Sequence, residues 1–67
     1  MSEQRALAIE DDEGRTLHLT WSRSGKRLVL TATMPRHDPR QVELRPEQVE
    51  ELIDFLRETL AERTSSP

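Results

Sequence analysis

Two histidines and no cysteine are present among the 67 residues, so the choice of reactive side chains is narrow from the start. His37 stands beside Asp38, residue types that could serve as a base and the acid that orients it. They are chain neighbours closed in by Pro35 and Pro39, with no nucleophile placed to work with them, and we read them as an exposed loop. His18 alternates with Thr16 and Thr20, away from the apolar side of its strand, and reads as a surface histidine. The run Glu10-Asp11-Asp12-Glu13-Gly14 invites a calcium ion. A calcium loop needs oxygens at alternate positions and a bidentate Glu at its twelfth. Here the acids are contiguous and the twelfth residue from Asp11 is Ser22, so a solvated turn is the better reading. Without thiolates, a structural zinc cage is not expected. No glycine-rich phosphate loop and no Ser-His-Asp order occurs. The expectation is a non-enzymatic protein with no metal and no cofactor.

Charge carries more information than these motifs. Residues 1–12 sum to −3, residues 13–45 to +4 and residues 46–67 to −4. Arginine outnumbers lysine nine to one, and the planar guanidinium pairs well with phosphate. Arg23, Lys26, Arg27, Arg36 and Arg40 are therefore the candidate nucleic-acid contacts, on loops and on whichever sheet face the helix leaves free. The competing account pairs these arginines with surface carboxylates. Base stacking is poorly served, because Trp21 and Phe55 are the only aromatic residues and Trp21 falls on the apolar side of a strand.

The elements that would position these groups follow from periodicity. Leu7 and Ile9 alternate in a short first strand. Leu17, Leu19 and Trp21 alternate in a second, and Leu28, Leu30, Ala32 and Met34 in a third. Ser24-Gly25 centres the hairpin between the second and third. Pro35 and Pro39 bound a loop in which no ladder can run. Val42 and Leu44 form a short fourth strand. At Pro46 the period changes. Proline is suited to the first helical position, and Val49, Leu52, Ile53, Leu56 and Leu60 make one apolar stripe. The fold class is α+β: a four-stranded antiparallel meander with one C-terminal helix packed on one face, covering Leu17, Leu19, Trp21, Leu28 and Leu30. The single ββββα domain spans 1–63, with a disordered tail at 64–67.

Phe55 lies about 120° from the stripe at 100° per residue. It is either a contact under the sheet edge or a knob at a subunit interface, with Glu51 and Glu58 beside it. So short a chain buries only about 60% of its unfolded surface, and with disulfides excluded, self-association is the expected aid. A charged fraction of 34% beside 33% hydrophobic residues in clear periodicity indicates a folded chain. No signal peptide or membrane-spanning run is seen, so a cytoplasmic location is expected by elimination.

Val42-Glu43-Leu44-Arg45-Pro46-Glu47-Gln48 resembles the strand-to-helix junction of the single-stranded-DNA-binding domain in the positive-cofactor-four type of transcriptional coactivator and its bacterial relatives. The order hairpin, proline-bearing loop, short strand and helix is similar over about residues 15 to 60. The resemblance implies a curved antiparallel sheet, a dimer and single-strand binding through the sheets, in transcription. The aromatic of that family after Pro-Glu-Gln is Val49 here, and Arg23, Lys26 and Arg27 match only as a basic hairpin. Two functions are thus carried forward. The first is a homodimeric module acting through protein–protein contacts, with Phe55, Glu51 and Glu58 at the interface. The alternative is a single-stranded nucleic-acid-binding protein that uses a basic sheet surface.

Overall fold

The computed structural model describes residues 5–65. Strands β1 (Ala6–Glu10), β2 (Thr16–Trp21), β3 (Leu28–Thr33) and β4 (Arg40–Leu44) form one antiparallel sheet in the order β1-β2-β3-β4, followed by helix α1 (Pro46–Ser65). This is the α+β meander with a C-terminal helix that the alternation of apolar residues predicts. The helix runs through Thr64 and Ser65, where a tail was expected from residue 64, and residues 66–67 lie outside the described residues.

Side-chain alternation sorts the sheet into two faces. One face has three cross-strand rows: Trp21–Leu28–Leu44, Leu7–Leu19–Leu30–Val42, and Ile9–Leu17–Ala32–Arg40. The other presents Ala8–His18–Thr31–Gln41 between rows rich in threonine. The connections are tight. Gly14 and Gly25 take φ of 80° and 74°, conformations that cost a residue with a Cβ. In the β2–β3 hairpin the Ser22 N–H donates to the Arg27 carbonyl at 2.8 Å, and the Gly25 N–H to the Ser22 carbonyl at 2.8 Å.

Where α1 sits is a correction. It meets the sheet at β4 and does not lie across the apolar face. Among the described residues Leu28 is the one buried hydrophobic side chain; Leu19 and Leu30 are half-buried, and Leu17 and Trp21 are 37% and 39% exposed. The cause lies in the junction. Only Arg45 separates Leu44 from Pro46, and a residue before proline is held extended. The Arg45 N–H donates to Gln48 Oε1 at 2.9 Å, and the Val49 N–H donates to the Arg45 carbonyl at 3.0 Å. One extended residue locked to the first helical turn cannot swing the helix back over its own sheet, since connections between strand and helix ordinarily take about 2–6 residues.

The result is an open molecule. Its radius of gyration is 14.3 Å, against about 11 Å for a compact domain of this length. Its accessible surface is 6319 Å², against roughly 4,400 Å² for a compact chain of 7.8 kDa.

Candidate functional site

The uncovered apolar face is the most distinctive surface. Leu7, Ile9 and Val42 are more than half exposed on the sheet, and Leu56 and Leu60 more than half exposed on the helix. Two shallow hollows lie at opposite ends of the sheet. One is lined by Leu7, Leu19, Trp21 and Leu28, the other by Ile9, Leu17, Ala32 and Met34, with polar residues at their rims. On α1 the stripe divides. Val49 and Leu52 are half-buried, whereas Ile53, Leu56 and Leu60 are exposed. Sequence periodicity identified both apolar surfaces but paired them within one chain. The one-residue link between Leu44 and Pro46 was the signal against that pairing.

Phe55 is 60% exposed, so it does not pack under the edge of its own sheet. Helical spacing puts it on one face with Glu51 and Glu58, turned away from the apolar stripe. Both glutamates are exposed.

The candidate phosphate contacts separate into two groups. Arg23, Lys26 and Arg27 belong to the β2–β3 hairpin at one end of the sheet. Arg36 and Arg40 lie at the other end, five residue steps along the β2–β3 ladder and thus about 17 Å away. No lysine or arginine stands on the threonine-bearing face, and Arg40 falls on the apolar side opposite Ala32. The loops carry the basic charge; the expected basic sheet face is absent. At the hairpin end Arg5, which precedes β1, and Arg45, which follows β4, join the three hairpin cations. Among the described residues none of these five is ion-paired to a carboxylate.

The hairpin backbone is pinned by its serines. The Arg27 N–H donates to Ser22 Oγ at 3.2 Å and the Lys26 N–H to Ser24 Oγ at 3.4 Å. At the other end Arg36 takes φ of 65°, a left-handed conformation that a side chain disfavours. It follows Pro35 in a turn closed by the His37 N–H donating to the Met34 carbonyl at 3.2 Å.

Asp11 organises the β1–β2 turn. Its Oδ1 accepts the N–H groups of Glu13 and Arg15, each at 2.9 Å, and its Oδ2 accepts the Arg15 Nε–H at 2.6 Å. The Arg15 N–H bond, more than any other contact, holds the Asp11 carboxyl below the usual aspartate range. These carboxylate oxygens bond within the turn itself. Among the described residues no group of three or more histidine, aspartate or glutamate side chains converges as a metal site would need. No helix among them is long and apolar enough to cross a membrane.

No family model, no curated protein and no solved structure matches the chain.

Proposed function

We propose that this protein is a small non-enzymatic binding module that works as a homodimer and acts through protein–protein contacts. One observation carries the reading: a sheet with one face apolar except for Arg40 has a single buried hydrophobic residue, Leu28, among the described residues. Contiguous exposed apolar patches mark interaction surfaces. Phe55, with Glu51 and Glu58 on the outer face of α1, is the contact for a further protein, since an exposed aromatic residue is a frequent interface anchor.

The test is the mass in solution measured by light scattering over a dilution series, with thermal melts at each concentration. A mass of twice 7.8 kDa, with a melting temperature that rises with concentration, is expected of a folded state completed by association. A mass of 7.8 kDa throughout, with a melting temperature independent of concentration, would overturn the reading.

A second reading is favoured by the hairpin end of the sheet. Five cations without a carboxylate partner among the described residues suit a phosphate backbone. Single-stranded nucleic acid would then be held by Arg23, Lys26 and Arg27, with charge as the main source of affinity.

A further inference from the structure

We propose that the two copies of the homodimer exchange helices: the exposed stripe of α1 in each chain covers the apolar sheet face of the other. This inference rests on the self-association reading and specifies the surfaces that meet.

Within one chain the two apolar surfaces are present but kept apart. The stripe Ile53, Leu56 and Leu60 is exposed, and so are Leu7, Leu17 and Val42 on the sheet. The extended Arg45, fixed between Leu44 and Pro46 and bonded to Gln48, prevents α1 from turning back. A connection too short to let an element pack at home leaves it to a second copy, the circumstance behind domain exchange.

Size agrees. From Ile53 to Leu60 the stripe rises about 10 Å, and to the end of α1 about 18 Å. The rows of the apolar face, from Trp21 to Leu17, span about 13 Å along the strands. The sheet hollows between Leu7 and Trp21 and between Ile9 and Met34 offer depressions for a helical ridge. A stable dimer buries about 800 Å² per partner, less than the surplus of this chain's 6319 Å² over a compact one.

Charge agrees as well. The helical segment from residue 46 onward carries −4, whereas the segment supplying most of the sheet, residues 13–45, carries +4. Exchange brings each acidic helix to a partner sheet that carries Arg40 on its apolar side and Arg5, Arg23, Lys26, Arg27 and Arg45 at its hairpin end, and opposite potentials of this kind favour encounter and register. In a closed two-fold pair both junctions are identical, so no apolar face is left to recruit a third copy.

The chain has no cysteine, so one can be introduced cleanly. A nitroxide is attached to R57C, beside the stripe and outside it, and this chain is mixed with isotope-labelled protein of the unaltered sequence. Light scattering on the same mixture reports whether dimers form. The expected result is dimers in which the amides of Leu19 and Leu30, at the centre of the labelled sheet, lose the most signal. Dimers with the strongest loss on the labelled chain's own α1, or along β1, would overturn the exchange and leave self-association standing. A monomeric mixture would remove both if the unaltered protein is also monomeric. Should the unaltered protein dimerise and R57C not, the label moves to E50C on the same flank of the helix and the same outcomes decide.

Discussion

Gln48 accepts the N–H of Arg45 at 2.9 Å, so the first turn of α1 is tied to the last residue before it. The bond is half of a capping box, in which the third helical residue reaches back to the residue that precedes the helix. It also sets the direction in which α1 leaves β4.

Gln48→Ala removes this bond. Loss of a capping interaction costs about 0.5–1 kcal/mol, a fall of a few degrees in melting temperature at fixed protein concentration. Gln48→Glu preserves an acceptor and should melt near the unaltered protein. Equal melting of all three forms would show that the bond does not constrain the junction.

Asp11 yields a prediction in pH. Its carboxyl is held below the ordinary value of 3.8, first by the Arg15 N–H and then by the Glu13 N–H and the Arg15 guanidinium. A lowered folded pKa means that the unfolded chain binds the proton more readily. The contribution is therefore present above the ordinary aspartate pKa and is lost as pH falls through the lowered one. Asp11→Asn should melt below the unaltered protein at neutral pH, and the gap should close in acid. An NMR titration midpoint for Asp11 at or above the ordinary value would contradict the assignment.

Arg36 holds a left-handed conformation at φ of 65°. That conformation costs a side-chain-bearing residue about 1–2 kcal/mol, while glycine adds roughly 0.5–1 kcal/mol of unfolded-state entropy. Arg36→Gly is accordingly expected to stabilise the protein by about 0.5 kcal/mol, a rise of roughly 2–4 °C. A lower melting temperature would mean that the arginine side chain contributes more than its backbone costs.

The nucleic-acid reading is tested by reversing charge at one end of the sheet and then at the other. With three phosphate contacts on a single strand, log affinity should fall against log salt with a slope of about −2. Changing Arg23, Lys26 and Arg27 together to Glu should abolish binding of a labelled single strand without changing the oligomeric mass. Changing Arg36 and Arg40 to Glu, at the far end of the ladder, should leave most of the binding intact. Equal losses from both variants would mean that the strand spans the sheet, and no binding at low salt would end this reading.

Most of the fold was legible because each strand repeats a simple rule. Leu17, Leu19 and Trp21 alternate with Thr16, His18 and Thr20, and Leu28 and Leu30 continue the pattern across a glycine hairpin. The Pro46 start of α1 was equally legible. Its placement was not, because periodicity says which side of a helix is apolar and nothing about where the preceding residue aims it. Arg36 was hidden for a related reason: a left-handed turn position is usually announced by glycine or asparagine, and here it is occupied by arginine. The candidate cations share a sign in sequence, but strands of six residues set Arg23 and Arg36 at opposite ends.

Every strand pairs with its immediate neighbour in the chain, and short links join them all. Such local topology keeps contact order low, so the sheet can assemble quickly, before any second molecule is met. Under the helix exchange proposed here the slow event is bimolecular. Refolding would then show a fast phase indifferent to dilution and a slower one whose rate scales with protein concentration. The half-time to reach the finished protein is in that case set by how much of it is already present.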